Sequence, residues 1–475
     1  MPKTYRRFRR DQWHAKLLES LRQQPAAWCQ DTLKAVQEAA SQQGIVIYED
    51  SKTSQPVRIQ FLPWLLTQAQ CRYLQLVAIR LRRVLNRLLQ KYVDEPALQA
   101  VLPLTEDERS WLSRLAPKGI PEPMAVFERL DTNLIVDDPQ WPARLRFLEN
   151  NSVGVGCIHF TPVANDLVSK LVLPALQAVL PEAQYRMTAD PRMLLRRMLE
   201  AHAKAIGRET CVVALVERRE TSSGGADEML FVSQWLKEQG VHAILADPRE
   251  LDLRNGEIVY KDLTIDLVYR DSSLSELISI ENHGGQVSAM KQAFQRNQVI
   301  SGLSGEFDHK SLLELLSSQE FGRYFTPSQR RTFHAFIPWT RLVAPRKTDD
   351  PEGREVDLPD YVRTHRETLI LKPNRSYGGQ NVAIGVDVAQ AVWEEQLAKI
   401  LTQPNAWVVQ EFLPLPEVEF FDPHRRQTVQ EFVTMGFIAT AHGVAFVGRS
   451  CGERVVNISR GGSLVPVFIL AQEVS

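Results

Sequence analysis

Cysteine is scarce in this sequence and widely scattered. Five cysteines occur among 475 residues, namely Cys29, Cys71, Cys157, Cys211 and Cys451. No two of them form a CxxC pair, and no histidine cluster stands beside them in the sequence. An odd number of dispersed cysteines argues against a disulfide framework and against a structural zinc site. We therefore expect a reducing, cytoplasmic environment.

The sequence also lacks an excess of either charge and a long uninterrupted apolar run. Lysine and arginine total 56 while aspartate and glutamate total 57, so no overall field favours nucleic acid or an anionic membrane. The basic start, Arg6–Arg10, is not followed by the apolar segment of a secretory signal. The most apolar window, Tyr73–Leu89, contains four arginines and is unsuited to a bilayer. We expect neither a nucleic-acid nor a membrane partner.

The common catalytic signatures are missing as well. The sequence contains no GxxxxGKS or GxxxxGKT loop, no GxGxxG after a predicted strand, no GxSxG, no HExxH and no HRD/DFG set. Its ten histidines are dispersed without the spacing of metal ligands. These absences argue against a P-loop nucleotidase, a dinucleotide enzyme, a serine hydrolase, a zinc hydrolase and a protein kinase.

Hydrophobic periodicity and chain length indicate several folding units. The length of 475 residues suggests two to four domains. Residues 1 to about 120 have a helical pattern and end in a proline-containing boundary. Farther along, a strand at Cys211–Val216, a helix at Asp227–Gln239 and a strand at Val241–Ala246 predict a βαβ unit. Such a unit implies a parallel sheet.

Three other segments carry local predictions that depend on neighbouring residues. A helix is predicted over Asp166–Leu180, ending at Pro181. The apolar runs Ile258–Tyr260 and Ile265–Tyr269 predict a hairpin. Residues 345–360 are charged and contain proline and glycine, which predicts a loop.

A lysine beside a glycine pair is the first candidate for chemistry. Leu369–Leu371 and Val382–Ile384 predict the two strands of a hairpin, and Lys372 ends the first strand. Gly378 and Gly379 lie in the connecting loop, where backbone N–H groups without a neighbouring Cβ can close on an anion. This combination suits the phosphates of a nucleotide. The alternative is an ordinary hairpin with a solvated lysine.

A set of oxygen-bearing side chains precedes this hairpin. Two strands are predicted here, Met124–Asp131 and Leu145–Leu148. Arg129 and Asp131 alternate along the first strand and so face the same side, and Glu149 and Asn151 do the same at the end of the second. Carboxylate and amide oxygens are hard ligands of the kind that Mg²⁺ accepts, and Arg129 could contact a transferring phosphate. The alternative is a pair of strand-end salt bridges.

Two further positions extend the candidate site along the chain. Lys310 begins a predicted helix, Lys310–Leu316, and is either a second phosphate lysine or a surface lysine. Gln410 and Glu411 end the predicted strand Trp407–Phe412. An apolar strand that ends in Gln-Glu before Phe-Leu-Pro suits a hinge whose backbone meets an adenine edge, although a plain strand exit has the same pattern.

Cationic residues near the C-terminus complete the set of candidates. Arg449 and Arg460 could stabilise developing negative charge, and Asn457 could supply a last metal ligand near Gly461 and Gly462. Three arginines at strand ends of the predicted α/β unit could bind a substrate carboxylate or be solvated: Arg218, Arg219 and Arg270.

Taken in order, these motifs resemble the circularly permuted ATP-grasp family. The order is Arg-x-Asp (Arg129, Asp131), Glu-Asn-Asn (Glu149, Asn151), a βαβ unit, Asp-His-Lys (Lys310), Leu-Lys-Pro with Gly-Gly (Lys372, Gly378, Gly379) and Val-Gln-Glu (Gln410, Glu411). The pattern is similar to the synthetase domains of the glutathionylspermidine synthase type. The metal-binding strand precedes the lysines, as in the permuted branch, and the resemblance covers roughly residues 120 to 475.

The resemblance implies a fold of the α+β and α/β kind with four parts. These are a helical N-terminal region (1–120), the metal-binding part of a permuted ATP-grasp core (121–210), a Rossmann-like pre-ATP-grasp domain (211–300) and the nucleotide-binding subdomains (301–475). The first part lacks the cysteine–histidine arrangement of the amidase half of bifunctional glutathionylspermidine enzymes. We therefore expect no amidase activity.

The resemblance also implies a reaction and roles for the candidate residues. An ATP- and Mg²⁺-dependent ligase would join a small-molecule or peptide carboxylate to an amine through an acyl phosphate. Lys310 and Lys372 would hold ATP phosphates, and the loop Tyr377–Gly379 would close over the nucleotide. Mg²⁺ would be held by Asp131, Glu149 and Asn151. Arg129 and Arg449 would stabilise the transferring phosphoryl group.

Two other functions remain open at this point, as does the oligomeric state. One is a non-catalytic nucleotide-binding scaffold or regulatory protein, in which the helical region binds a partner. The other is a small-molecule phosphotransferase that stops at a phosphorylated product. Neither substrate can be identified from the pattern, and a homodimer is left open.

Overall fold

The computed structural model describes residues 10–48, 54–85, 91–116, 126–136, 140–208, 211–219 and 227–471. None of the helices within these ranges is both long enough and apolar enough to cross a membrane. In chain order the described α-helices are α1 (Arg10–Arg22), α2 (Ala26–Gln42), α3 (Gln68–Leu85), α4 (Pro96–Val101), α5 (Glu106–Leu115), α6 (Trp141–Arg144), α7 (Phe160–Leu171), α8 (Pro191–Ala205), α9 (Glu228–Glu238), α10 (Leu274–Asn282), α11 (Ser288–Gln295), α12 (Leu312–Ser317), α13 (Pro327–Phe336), α14 (Leu358–Thr364) and α15 (Gln390–Leu401).

The β-strands are short except near the C-terminus, where two long strands form the centre of the largest sheet. In chain order the described strands are β1 (Val46–Tyr48), β2 (Ser54–Pro56), β3 (Arg58–Ile59), β4 (Trp64–Leu66), β5 (Glu128–Thr132), β6 (Phe147–Asn151), β7 (Tyr185–Met187), β8 (Val212–Val216), β9 (His242–Ala246), β10 (Leu251–Arg254), β11 (Glu257–Tyr260), β12 (Leu263–Thr264), β13 (Leu267–Arg270), β14 (Val299–Ile300), β15 (Thr340–Leu342), β16 (Lys347–Asp349), β17 (Glu355–Asp357), β18 (Leu369–Pro373), β19 (Ala383–Ile384), β20 (Trp407–Glu411), β21 (Glu417–Asp422), β22 (Gln427–Thr440), β23 (Gly443–Cys451), β24 (Ser463–Val465) and β25 (Val467–Leu470).

The largest sheet joins strands from both ends of the chain. Its order is β3-β24-β23-β22-β5-β6, with β21 also paired to β22. The central strand β22 is buried on both faces over its second half, because α3 and α8 pack against it. The strands β5 and β6, which carry the candidate oxygen ligands, therefore complete a sheet whose centre is formed by residues 300 positions later.

The predicted βαβ unit is confirmed, but the predicted hairpin beside it is wrong. β8 and β9 are parallel neighbours joined through α9, within a sheet of order β14-β13-β8-β9. Ile265–Tyr269 was expected to pair with Ile258–Tyr260. Instead β13 lies between β8 and β14 in the parallel sheet, and β11 pairs with β10 and β12. All four residues of β13 are buried, as expected for an inner strand of a covered parallel sheet.

A smaller antiparallel sheet has a hydrophobic core of its own. Its order is β15-β20-β18-β19, and α14 and α15 cover it with a core that includes Trp339, Leu371 and Trp393. The predicted hairpin of Leu369–Leu371 with Val382–Ile384 is confirmed, since β18 and β19 pair antiparallel. The loop predicted at residues 345–360 is wrong, because the hairpin β16–β17 and the start of α14 occupy it.

Two predictions about helices also need correction. Residues 1 to 120 are not all helical, since β3 and β4 of this region pair in parallel with β24 and β25. The predicted boundary near residue 120 stays a prediction, and these pairings cross it. The helix expected at Asp166–Leu180 is instead α7 (Phe160–Leu171) followed by a 3-10 turn at Leu173–Leu176. Pro174 lacks the N–H that would continue the α-helix, whereas Pro162 is tolerated in the first turn of α7.

Candidate active site

One cavity lies between the seven-stranded sheet and the smaller antiparallel sheet. It encloses about 1080 Å³ including its open mouth. Strands β5, β6, β22 and β23 form one wall, and β18, β19 and β20 form the opposite wall. Eleven residues of the predicted nucleotide and metal site line it: Arg129, Asp131, Glu149, Asn151, Lys310, Lys372, Gly378, Gly379, Gln410, Glu411 and Arg449. The additional candidate Asn457 lines it as well.

The pairing of β5 with β6 brings the four upstream candidates onto one patch. Arg129 lies opposite Asn151 and Asp131 opposite Glu149 in the antiparallel register. Arg129 Nε donates to Asp131 Oδ1 at 2.9 Å, and Asn151 Nδ2 donates to Asp131 Oδ2 at 3.3 Å. Cross-strand pairs of this kind lie about 5 Å apart at Cβ, so their side chains can meet one ligand.

Asp131 is held between two guanidinium groups. Besides Arg129, Arg449 on β23 approaches Asp131 Oδ2 with its Nη2 at 2.9 Å. Burial raises the pKa of this carboxyl, but the charges and hydrogen bonds of Arg129 and Arg449 outweigh burial and lower the pKa to about 2. Asp131 is therefore a carboxylate at every ordinary pH.

Lys310 is buried beside the oxygen-bearing patch. The lysine lies in a turn just before α12, rather than inside the predicted helix, and it is 8% exposed. Its Nζ is 3.0 Å from Glu149 Oε1 and donates to the carbonyl of Ser376 at 2.6 Å. The interpretation of Lys310 as a surface lysine is therefore wrong.

Lys372 enters the cavity from the opposite wall. Its Nζ donates to Gln410 Oε1 at 2.7 Å, from the neighbouring strand β20. Burial lowers the pKa of Lys372 to about 8, although the charge of Glu149 opposes this shift. The lysine is therefore half-buried, and its ammonium is easier to deprotonate than that of an exposed lysine.

The glycine loop closes part of the cavity mouth. Gly378 and Gly379 both adopt left-handed backbone conformations, with φ values of 73° and 68°. A Cβ on Gly379 would overlap the side chain of Val455, which lies in the segment after β23. In the same segment, Arg460 donates to the carbonyl of Gly379 at 3.4 Å. Tyr377 is outside the cavity lining, because its hydroxyl bonds the Asp308 carboxylate at 3.3 Å.

The side-chain amide of Gln410 is hydrogen-bonded to other groups of the protein. It accepts from Lys372 and donates to Thr340 Oγ1 at 3.0 Å, so its amide orients the lysine. The part of the lining that follows Glu411 in the chain, Phe412, Leu413 and Leu415, is apolar and suits a flat ring. The other apolar lining residues are Leu148, Ile370, Val382 and Ile384.

The oxygen-bearing residues form a donor set that fits Mg²⁺. Asp131 and Glu149 contribute carboxylates, and Asn151 contributes an amide, on adjacent strands facing one cavity. Hard oxygen donors of this type are the ligands that Mg²⁺ takes, with water and phosphate completing its shell. No group of three His, Cys, Asp or Glu side chains in the described ranges is arranged as a metal site. A site here would therefore need the asparagine.

Two outcomes concern the arginines. Arg270, for which a substrate-binding and a solvated position were both open, is fully buried and pairs with Glu306 at 2.5 Å and with the carbonyl of Ser301 at 2.6 Å. Both alternatives are wrong, because its guanidinium is enclosed by protein groups. Conversely, Arg454 lines the cavity and was missed, although its place between Arg449 and Asn457 was a usable signal.

Comparison with known proteins identifies the fold. No known family profile matches the chain, and no curated protein matches it. A glutathione synthetase-like effector from Globodera pallida, solved in its apo form, matches over 94% of this chain and 98% of that chain, at a TM-score of 0.61 and 11% identity. A protein described as a putative γ-glutamylcysteine synthetase from Methylobacillus flagellatus covers 82% and 87%, at a TM-score of 0.35 and 10% identity.

The first of these similarities defines a class of fold. The chain has a mixed α+β fold like that of the glutathione synthetase-like effector. At 11% identity the similarity concerns the fold and carries no activity or substrate with it.

Proposed function

We propose that this chain is an ATP- and Mg²⁺-dependent carboxylate–amine ligase with a circularly permuted ATP-grasp fold. The observation that carries the proposal is the convergence of eleven selected residues, from widely separated parts of the chain, in one cavity. The similarity in fold to a glutathione synthetase-like protein is consistent with the same class of reaction. The permutation is supported by β5 and β6, which come early in the chain and complete a sheet centred on β22.

The charge of the cavity favours a polyanionic ligand. Among its described lining residues, five side chains are cationic and three are anionic, whereas the whole chain has a formal net charge of −1. A low-dielectric cleft with this surplus attracts phosphates more strongly than an exposed patch would. The apolar part of the lining that follows Glu411 provides a place for the base of the same nucleotide.

Each cavity residue then has a role that its position allows. Lys310 and Lys372 approach from opposite walls and would hold the phosphates. Asp131, Glu149 and Asn151 would hold Mg²⁺, which when bound supplies positive charge to the β- and γ-phosphates. The glycine loop would exclude water from the reacting groups.

The reaction needs positioning and charge neutralisation more than a protein nucleophile. An oxygen of the substrate carboxylate attacks the γ-phosphorus, the bond to the β-phosphate oxygen breaks, and ADP leaves. The amine nitrogen then attacks the acyl carbon, inorganic phosphate leaves and the nitrogen loses a proton. Arg129 and Arg449 would stabilise the negative charge that develops on the transferring group.

Several of the charged side chains in the cavity form ion pairs with one another. Lys310 pairs with Glu149, and both Arg129 and Arg449 pair with Asp131. Binding of a metal–nucleotide complex would exchange these partners, giving the carboxylates to the metal and the cations to the phosphates. Glu149 and Lys310 therefore become available together, which favours joint binding of metal and nucleotide.

The test is ADP release with a panel of carboxylates and amines, including glutathione precursors and polyamines. We expect substrate-dependent release by the wild type and a loss of at least 100-fold, an order-of-magnitude expectation for removed phosphate and metal contacts, in Glu149→Ala and Lys372→Ala. Glu395→Ala and Lys399→Ala, an exposed pair on α15, are matched controls that should retain activity. Substrate-dependent ADP release that survives both cavity substitutions would contradict the proposal.

The same assay distinguishes the other two functions. Calorimetric binding of ATP without product under any substrate mixture would favour a non-catalytic scaffold. A stable phosphorylated product that forms without an amine would favour a phosphotransferase. An amide product that requires both the carboxylate and the amine is the outcome expected for a ligase.

A further inference from the structure

A buried carboxylate outside the cavity binds the loop that covers it. Glu108 lies on α5, near the N-terminus, and its side chain is 1% exposed. Arg375 belongs to the loop between β18 and the two glycines. Its Nη1 donates to Glu108 Oε2 at 2.8 Å and its Nη2 donates to Oε1 at 2.6 Å. Two parallel bonds of this kind define both the distance and the orientation of the guanidinium.

Glu108 is a rigid anchor because the start of α5 holds it. Its Oε2 accepts from the backbone N–H of Thr105 at 2.8 Å, and its own N–H donates to Thr105 Oγ1 at 3.2 Å, which is a capping box. Burial raises the pKa of Glu108, but the bonds to Arg375 and Thr105 outweigh burial and hold the pKa below its usual value. The helix also packs against α10 and α11 beside the parallel sheet.

The two residues that flank Arg375 both bind Lys310. The carbonyl of Asn374 accepts from the backbone N–H of Lys310 at 3.0 Å, and the carbonyl of Ser376 accepts from Lys310 Nζ at 2.6 Å. Any displacement of Arg375 therefore moves both acceptors. The position of the Lys310 ammonium thus depends on the anchor at Glu108.

We propose that Glu108 is a positioning residue that holds the glycine loop and the Lys310 ammonium in place for a nucleotide phosphate. It acts through Arg375 and touches no ligand itself. The nucleotide part of this inference rests on the proposed function, whereas the anchoring of the loop does not. The N-terminal region then supports the cavity from outside through α5.

The capping box allows a variant that separates the two roles of Glu108. Glutamine is also accepted at this position of a capping box, so Glu108→Gln keeps the helix cap while it removes the charge that binds Arg375. Thr105→Ala is the matched control, because it removes the capping hydroxyl and leaves the carboxylate–guanidinium pair. Arg375→Gln removes the other partner, and its half-exposed side chain is less costly to replace.

Two measurements apply to each variant: hydrogen exchange of residues 374–381, and the Kd for a non-hydrolysable ATP analogue with Mg²⁺ by calorimetry. We expect Glu108→Gln and Arg375→Gln each to accelerate exchange in this loop and to raise Kd about tenfold, as for loss of one charge-assisted bidentate pair. We expect Thr105→Ala to lower the Tm and leave Kd unchanged. The double variant should bind no more weakly than Arg375→Gln, because Glu108 acts through Arg375.

The proposal would be overturned if hydrogen exchange of residues 374–381 were unchanged in Glu108→Gln. It would also be overturned if adding Glu108→Gln to Arg375→Gln raised the Kd further. If Glu108→Gln fails to fold, Arg375→Gln decides by the same two measurements. If the wild type binds no nucleotide analogue, the proposed function fails instead. Loop exchange then still decides whether Glu108 anchors the loop.

Discussion

The lowered pKa of the half-buried Lys372 makes nucleotide affinity depend on pH in a calculable way. Burial lowers the pKa of this lysine to about 8, and the protonated form is the one that attracts a phosphate. At pH 7 roughly nine in ten Lys372 side chains are protonated, and at pH 9 roughly one in ten are. Affinity should therefore fall as pH rises through about 8, with Kd rising about tenfold between pH 7 and pH 9.

The assay is calorimetric titration of a non-hydrolysable ATP analogue with Mg²⁺ from pH 6.5 to 9.5 at constant ionic strength. Lys372→Arg keeps its charge throughout this range, so its Kd should stay nearly constant even if it is higher overall. Lys399→Arg, an exposed substitution on α15, should retain the wild-type profile. A flat wild-type profile, or the same alkaline loss in Lys372→Arg, would refute the reasoning.

Two further predictions concern the glycine loop and a buried carboxyl. Gly379→Ala should weaken binding of the ATP analogue, measured by calorimetry, more than Gly378→Ala. Both substitutions strain a left-handed residue, but only the Cβ at Gly379 overlaps Val455, so equal effects would contradict this account. Burial raises the pKa of Glu128 from 4.5 to about 7, with Arg82 opposing. Because the folded state then binds this proton more tightly than the unfolded state, Glu128 adds on the order of 3 kcal/mol to the free energy of unfolding below pH 4.5. This contribution should be lost as the pH rises from 4.5 through 7. Urea denaturation should show that Glu128→Gln abolishes this loss; a loss that persists in the variant would exclude Glu128 as its source.

Local patterns predicted the elements whose partners are close in the chain. The hairpin of β18 and β19 follows from two apolar runs around a glycine loop. The βαβ unit of β8 and β9 follows from an apolar strand, a helical spacing of apolar residues and a second apolar strand. Both depend on side-chain patterns within a segment of at most 35 residues, Val212 to Ala246 for the longer one. The pairing of β13 between β8 and β14 could not be read in this way, since any apolar run of that length suits several neighbours.

The part of the candidate site that could be predicted is the part that depends on the chemical type of its residues. A lysine beside paired glycines is compatible with a phosphate site, and one carboxylate on each of two strands, next to Arg129 or Asn151, is compatible with a metal site. Burial was not predictable, and it decided several cases. Arg270 has a side chain that could bind a substrate carboxylate, but Glu306 and backbone carbonyls enclose it. Lys310 could equally have been a surface lysine from its sequence, but it is buried in the cavity.

Sequence alone determined which functional groups this protein has and in what order they occur. That order, together with the alternation of Arg129 with Asp131, sufficed to predict a nucleotide site with oxygen ligands. Tertiary structure decided which groups meet. Glu108 and Arg375 are 267 residues apart, and their capping and loop patterns give no sign of one another. Long-range partners are determined by the packing of whole sheets and helices, so the anchoring of the loop and the burial of Lys310 appear only once the chain has folded.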